Sequence, residues 1–339
     1  MMRRAFIALV SAIIDKNKFW RLLSFVASTT TLLALSGVSY SQDYPSRPIR
    51  VIVGLAPGGG GDVFARTFAE ELRKVWSVPV VVENRPGGGE SIGARACADS
   101  APDGYTVCFL SNEATTYHQF LFKNNPFDGA KELQPVVGMF INTFGLAVSG
   151  SLKVKTLDEV VAKSKANPGT LSYGTFSFPL TRFMENLKRD TGADIVRVPF
   201  RGGSDLVNAM LAGSTQVGLF GLSNMLSQLQ AGLLTLVAVN SKERSPLFPD
   251  VPTFVELGRG DYPPSWFGLF APNETPNVIV HKLGDEVSRI LSAPGFRNKM
   301  FAPRGIEPLD VKYADLAKFL RDDIHAARLL INEAGYQPQ

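Results

Sequence analysis

The residues with the clearest capacity for chemistry are four consecutive glycines near the start of the chain. Residues 56–62 read Ala-Pro-Gly-Gly-Gly-Gly-Asp. Glycines bring no side chains to pack, and they allow a sharp turn that presents backbone N–H groups to a small bound group. A β-branched, apolar run at 49–55 precedes them, and an apolar stripe with a spacing of four follows from Phe64 to Trp76. This order predicts a buried strand, a glycine loop and a helix capped by Asp62, which together form an anion-binding corner.

Further loops with small or polar residues follow other predicted strands. Because ligands of open α/β sheets bind at the carboxyl ends of strands, these loops extend the candidate site. The candidate ligand-binding residues are Ala56, Pro57, Gly58, Gly59, Gly60, Asp62, Ser111, Thr175, Phe176, Ser177, Arg201, Gly202, Gly203, Ser204, Gly221 and Ser223. Arg201 is either a partner for a ligand carboxylate or a solvated surface residue. The serines at 177, 204 and 223 either cap helices only or also leave other helix N–H groups for a ligand.

Two enzymatic or nucleotide-binding alternatives have weaker support. A dinucleotide site would place an acid near Glu83, but the G-x-G-x-x-G pattern fails because Val63 stands where the last glycine belongs. A hydrolase would use Ser111 or Ser177 as nucleophile and His118 as base, but no residue pattern supplies an acid to orient the histidine. No phosphate-binding G-x-x-x-x-G-K-[ST] motif and no metal-ligand spacing occur, so we expect neither catalysis nor a cofactor.

The order of elements predicts an α/β protein with two lobes, each a mostly parallel sheet flanked by helices. Strand, small-residue loop and helix alternate from residue 49 to about 111, and the same alternation restarts after an apolar run at 140–148. Proline-rich residues 245–264 then interrupt regular structure. We predict a discontinuous first lobe from residues 42–142 and 262–339, and a second lobe from 143–261. Both sets of loops would face a cleft between the lobes.

The start of the chain has the features of an export signal. Residues 1–41 contain five basic residues and one acid, all within the first 21 positions. An apolar stretch at 22–38 and the small-residue ending Ser39-Tyr40-Ser41 follow them. We predict cleavage near Ser41 and a periplasmic protein, with an uncleaved anchor as the alternative. The leader accounts for the whole net charge of +4, so the remaining chain is neutral. A neutral body without a basic cluster argues against nucleic acid as a partner.

The two cysteines, Cys97 and Cys108, flank a predicted turn at residues 101–104. An oxidising compartment would let them form a disulfide. The other interpretation is two buried free thiols, and the sequence leaves both open.

Six strings, in order along the mature chain, resemble one known family. They are YPSRPIRVIVGLAPGGGGDVFAR, VVVENRPGGG, APDGYTV, VPFRGGSD, SKERSPLFPDVPT and WFGLFAP. The chain is similar to the TctC-like substrate-binding proteins of tripartite tricarboxylate transporters, also called the Bug family. This resemblance implies a type II periplasmic binding fold (a Venus flytrap) that captures a small organic anion, often a carboxylate, and delivers it to membrane permease subunits. It implies no cofactor and no catalysis, and we expect a monomer.

Three places depart from the family pattern. The loop that begins at Thr175 reads TFSFPLTRF where glycine, serine and a histidine are usual, and Gly218 and Gly221 stand where acids are common. Glu113 stands where small residues are usual. Loss of acids disfavours an amino-acid ligand, whose ammonium group needs a carboxylate partner, and the phenylalanines favour a ligand with an apolar part. An exported hydrolase using the same cleft, or a receptor that reports to a sensor protein, are the alternative functions.

Overall fold

A computed structural model describes residues 44–123, 127–200 and 202–338. Within these residues, a six-stranded sheet forms the first lobe in the order β11-β4-β10-β3-β1-β2. Its strands are β1 (Ile49–Val53), β2 (Val80–Asn84), β3 (Thr106–Ser111), β4 (Leu133–Asn142), β10 (Ser265–Pro272) and β11 (Ile306–Lys312).

Helices flank this first sheet. They are α1 (Gly60–Trp76), α2 (Ser91–Ala98), α3 (His118–Leu121), α4 (Gly129–Glu132), α9 (Asn277–Ser292), α10 (Pro294–Met300) and α11 (Tyr313–Glu333). A π-helical turn, Glu113–Tyr117, and a 3₁₀ turn, Ala302–Arg304, complete the lobe. In α1 the predicted stripe faces the core, since Phe64, Phe68 and Leu72 are buried.

The second lobe is built on a five-stranded sheet in the order β7-β6-β8-β5-β9, counted over the described part of the chain. Its strands are β5 (Phe144–Ser149), β6 (Leu171–Thr175), β7 (Ile195–Pro199), β8 (Val217–Gly221) and β9 (Leu234–Asn240). Its helices are α5 (Leu157–Ala166), α6 (Phe178–Thr191), α7 (Gly203–Leu211) and α8 (Leu222–Gln230), with a 3₁₀ turn at Gly150–Leu152. The capping box of Thr156 and Glu159 is present at the start of α5.

Both sheets are mixed, and the antiparallel pairs come from the strands that join the lobes. β1 pairs in parallel with β2 and β3, whereas β10 runs antiparallel to β3 and β4. The chain leaves the first lobe through β4 and enters the second through β5, and it returns from β9 to β10. In each lobe, one of these strands carries the chain out of the lobe and a neighbouring strand carries it in. The two neighbours, β4 and β10 in the first sheet and β5 and β9 in the second, are therefore antiparallel. The predicted two-lobe α/β class is confirmed, with fewer parallel pairs than the sequence suggested.

An aromatic core supports the loop that follows β1. Phe64 on α1 packs against Phe140 with ring centroids 4.4 Å apart, and Phe140 stacks on Phe267 at 4.8 Å. Phe109 of β3 also stacks on Phe267, at 5.2 Å. Each ring is nearly or fully buried. Large buried rings contribute most of the apolar area removed from water, so this cluster holds the start of α1 against the sheet.

The two cysteines form a disulfide between α2 and β3, with Cα atoms 5.9 Å apart. Both residues are fully buried. The pairing resolves the two interpretations of the sequence in favour of the disulfide. The predicted export signal and its cleavage site near Ser41 lie outside the described residues. Among the helices that are described, none is long and apolar enough to cross a membrane.

Candidate functional site

A narrow cavity lies between the lobes, and loops of both lobes line it. The first lobe contributes Leu55, Ala56, Gly59, Gly61, Ser111, Glu113, Asn142, Ser265 and Phe267, and the second contributes Phe144, Phe176, Ser177, Gly202, Gly203 and Asn224. Its volume is about 20 Å³. That space suits a water molecule and is far too small for an organic acid in this conformation. We call it the cleft cavity.

Two amides of the glycine loop already have protein acceptors. The Gly60 N–H donates to Oδ1 of Asn224 on α8 at 2.8 Å, which joins the lobes. The Gly58 N–H donates to Oδ2 of Asp62 at 2.9 Å. The positive end of α1 therefore binds oxygen atoms, as its chemistry predicts, and the oxygens come from the protein itself.

Asp62 is the anion that shapes the loop, and the prediction that it caps α1 is wrong. Gly59 is the N-cap residue, and Asp62 lies within the first turn. Besides the Gly58 amide, its carboxylate accepts from Arg66 Nε at 3.0 Å and from Asn84 Nδ2 at 2.8 Å. Burial raises the pKa of Asp62, but the hydrogen bonds from Arg66, Gly58 and Asn84 outweigh this effect and hold the pKa below its usual value.

The lobes approach so closely at Gly60 that only glycine fits. A Cβ at this position would lie 2.4 Å from the Ser223 hydroxyl oxygen and 3.1 Å from the Ser223 carbonyl carbon. Nearby, the Ser204 hydroxyl donates to the Pro57 carbonyl oxygen at 3.2 Å. The absence of a side chain at Gly60 is therefore a requirement for this closed arrangement.

A second connection between the lobes joins a carboxyl group to a helix N-terminus. The Phe178 N–H, at the first position of α6, donates to Glu113 at 3.2 Å from Oε1 and 3.3 Å from Oε2. Helix N-termini leave unpaired N–H groups and favour negative charge, so the site on the second lobe can bind a carboxyl group. The Ser177 hydroxyl beside it is buried without a partner at hydrogen-bond geometry among the described residues.

A second buried glutamate, Glu90, is connected to Glu113 through Ser111. The Ser111 hydroxyl donates to Glu90 Oε1, the Ser111 N–H donates to Glu90 Oε2 at 3.0 Å, and the Glu113 N–H donates to the Ser111 hydroxyl at 3.2 Å. Because the Ser111 proton is committed to Glu90, this serine lacks the hydrogen bond to His118 that a hydrolase would need.

Burial shifts both glutamates toward the neutral form. It raises the pKa of Glu113 to about 8, assisted by the charges of Glu90 and Asp323, while the adjacent Ser177 hydroxyl and the hydrogen bond from the Phe178 amide oppose the shift. Burial also raises the pKa of Glu90 to about 7, against the hydrogen bonds from Ser111. Near neutral pH the cleft cavity is therefore bordered by a carboxyl group that is largely protonated.

Comparison with known proteins decides the family. The tripartite tricarboxylate transporter family receptor model matches residues 64–336. A UPF0065 protein of Bordetella pertussis (strain Tohama I) is 32% identical over 325 residues, which cover 95% of this chain and 100% of that protein. The chain belongs to the tripartite tricarboxylate transporter receptor family. This family of solute-binding proteins is the one that the six sequence strings resemble.

Solved structures of similar proteins agree with this membership. The periplasmic binding protein BugD has a TM-score of 0.81 and 27% identity, covering 87% of this chain and 100% of that one. R. palustris Rpa4515 with adipate has a TM-score of 0.82 and 26% identity, covering 88% and 100%. MatC from Rhodopseudomonas palustris with bound malate has a TM-score of 0.76 and 26% identity, covering 85% and 100%.

In this receptor the structure brings many of the predicted residues to the cleft cavity, but not all. The lining contains Ala56, Gly59, Ser111, Phe176, Ser177, Gly202 and Gly203. Pro57, Gly58, Gly60 and Asp62 shape the loop or bind the opposite lobe without lining the cavity. Thr175 lines a neighbouring cavity, and Gly221 and Ser223 pack on Asn142. The predicted carboxylate partner Arg201 lies outside the described residues.

The three candidate serines do not cap helices through their hydroxyl groups. Ser177 is the N-cap residue of α6 but makes no side-chain capping bond, whereas Ser204 and Ser223 lie inside the first turns of α7 and α8. The hydroxyl groups of Ser204 and Ser223 instead bind Pro57 and Asn142 of the first lobe.

Sequence reasoning missed several lining residues, chiefly Leu55, Asn142, Phe144, Asn224, Ser265 and Phe267. Asn142 and Phe144 lie where the chain passes between lobes, and Asn224 lies only one residue beyond the predicted Ser223. The sequence contains one signal for the site, because Glu113 departs from the family pattern. Among the described residues, no group of acids, histidines or cysteines is arranged to hold a metal ion.

Proposed function

We propose that this receptor captures a small organic ligand bearing a carboxylate in the cleft between its lobes. The observation that carries the proposal is the bond between Phe178 N–H and Glu113, because a helix N-terminus in the cleft already holds a carboxyl group there. A ligand carboxylate with the same geometry would be bound by the same amide. Adipate and malate in the similar solved structures support this ligand class.

Capture requires the lobes to separate and close again. Among the described residues, the direct hydrogen bonds that join the lobes at the cleft run from Gly60 to Asn224, Ser204 to Pro57, Ser223 to Asn142 and Phe178 to Glu113. Each neutral bond of this kind contributes only about 0.5–1.5 kcal/mol net, so opening is accessible. A ligand that contacts both lobes shifts the equilibrium toward a closed complex.

We propose further that the protein is exported to the periplasm with its leader cleaved near Ser41, and acts there as a monomer without a cofactor or enzymatic activity. The closed complex would be recognised by the membrane permease subunits of a tripartite tricarboxylate-type transporter. Family membership and the export pattern of residues 1–41 support this role. The lobe boundaries at residues 142–143 and 261–262 are part of the same proposal.

A thermal-shift screen tests the binding function directly. Purified mature protein is melted with mono-, di- and tricarboxylates and aromatic acids, and the compound from any stabilised sample is recovered and analysed. We expect at least one acid to raise the melting temperature and to be recovered unchanged. Conversion of the compound would favour an exported enzyme, and the absence of a shift with every acid would contradict the proposal.

A further inference from the structure

A second, larger cavity adjoins the cleft cavity. It shares Glu113, Phe176 and Ser177 with that cavity, and none of the four loop glycines at 58–61 lines it. Its volume is about 520 Å³. Binding sites for small molecules usually enclose about 300–1,000 Å³, so this cavity has room for an organic ligand. The cleft cavity, at about 20 Å³, has none in the same conformation.

Apolar side chains from both lobes form much of its wall. They are Leu121, Phe122, Phe176, Phe178, Pro199 and Phe200. Phe200 packs so closely on Gly174 that a Cβ there would lie 2.6 Å from the ring. Phe178 meets the ring of Tyr336 edge-on with centroids 5.2 Å apart. The wall is therefore held by packing and presents aromatic surface to a guest.

Two arginines add positive charge at the same cavity. Arg182 comes from α6 and Arg197 from β7, and both line it. Arg182 is half-buried and donates to Asn186 Oδ1 at 3.3 Å, while Arg197 is exposed. Within the described residues, neither guanidinium forms an ion pair with a carboxylate.

The acids that face the cavity do not cancel this charge. Glu185 accepts a hydrogen bond from the Tyr173 hydroxyl at 2.9 Å and pairs with Lys188 at 3.4 Å. Glu113 is bound to the Phe178 amide, and burial favours its neutral form. His118, also in the wall, stacks on Phe122 at 4.5 Å. Two guanidinium groups therefore remain for an anion.

We propose that this second cavity binds a small organic monoanion with an aromatic body, the ring against Phe176, Phe178 and Phe200 and the carboxylate at Arg182 and Arg197. This inference rests on the proposed function and narrows its ligand class. An aliphatic dicarboxylate fits less well, because the Phe178 amide at the other end of the cavity is occupied by Glu113, which a second carboxylate would have to displace. Arginine binds carboxylates through paired N–H donors, which suits an anion at the arginine end.

Isothermal titration with three probes tests the assignment. The probes are phenylacetate, its uncharged analogue phenylacetamide, and adipate, with wild-type protein at pH 7. We expect phenylacetate to bind at least tenfold more tightly than the other two. The double variant Arg182→Gln/Arg197→Gln should weaken phenylacetate binding at least tenfold, whereas Arg289→Gln, on α9 and outside the cavity, should leave it unchanged.

A Phe200→Ala variant, checked for its melting temperature, separates ring binding from charge. It should weaken phenylacetate binding and leave the preference for phenylacetate over phenylacetamide in place. Tight binding of adipate without phenylacetate, or phenylacetate binding that is insensitive to both arginines, overturns this inference while leaving carboxylate capture intact. Failure of every carboxylate to bind overturns the proposed function as well.

Discussion

The Glu113 carboxyl group of the first lobe lies 3.2 Å from the Phe178 amide nitrogen of the second and accepts its hydrogen bond. The protein thus places one of its own carboxyl groups at a helix N-terminus in the cleft where the ligand of a solute receptor is expected. A ligand carboxylate must either replace Glu113 at this amide or bind beside it. We therefore predict that ligand binding depends on the protonation state of Glu113.

Binding of carboxylates near Glu113 should weaken as the pH rises through about 8. An ionised Glu113 repels a second carboxylate, while the neutral acid does not. Linkage of one proton predicts a loss of up to about tenfold in affinity per pH unit above that value. Titration calorimetry at pH 6–9, in buffers of different ionisation enthalpy, measures both the affinity and the protons taken up.

The Glu113→Gln variant removes the titrating group and should make affinity independent of pH over that range. Glu70→Gln, an exposed position on α1, is the control and should retain the wild-type profile. The same pH dependence in Glu113→Gln as in the wild type would assign the linkage to another group.

The Glu90 carboxyl group should make the folded protein less stable as the pH rises. Its pKa is about 7 in the folded state and near 4.5 when unfolded. Between these values the folded state holds a proton that the unfolded state has lost, so the stabilisation present below pH 4.5 disappears by about pH 7. The slope is at most about 1.4 kcal/mol per pH unit for this group.

Urea unfolding between pH 4.5 and 7.5 measures that slope, and Glu90→Gln should reduce it. Glu113 acts in the same direction up to about pH 8, so some slope remains in the variant. Glu70, whose pKa is lowered by its bond with Arg73, titrates below this window, and Glu70→Gln should not alter the slope. An unaltered slope in Glu90→Gln would contradict the assignment.

The Cys97–Cys108 disulfide should stabilise the fold by about 2–4 kcal/mol, because it closes a short loop in the unfolded chain. Reduction with dithiothreitol should lower the urea midpoint of the wild type. The Cys97→Ala/Cys108→Ala variant should have a low midpoint that the reductant does not change. A wild-type midpoint that is the same after complete reduction of the bond would contradict this contribution.

The sequence could predict elements whose signal is local. The β-branched run before the glycines, the spacing from Phe64 to Leu72 and the Thr156 capping box all correspond to observed elements. Strand β11 was missed because it contains Pro308 and lacks both alternation and a continuous apolar run. The apolar run at 140–148 is the junction of β4 and β5, two strands of different sheets.

The sequence predicts which loops form the candidate site, but it does not predict which residues those loops contact. Gly60 and Asn224 are 164 residues apart, and no local pattern predicts that an amide side chain would bind the glycine loop. The residue type of Asp62 predicts a cap, but its carboxylate is bound by Arg66, one turn along α1, and by Asn84, 22 residues away on β2. Long-range packing decides such partners.

The central claim is that a carboxylate is captured by closure of the two lobes, and Gly60→Val tests it most directly. A valine side chain would collide with Ser223 and hold the lobes apart while leaving each lobe folded. We predict that titration calorimetry with the acid identified by the thermal-shift screen will show binding to the wild type and none to Gly60→Val at a similar melting temperature. Equal affinity in the two proteins would contradict capture by closure.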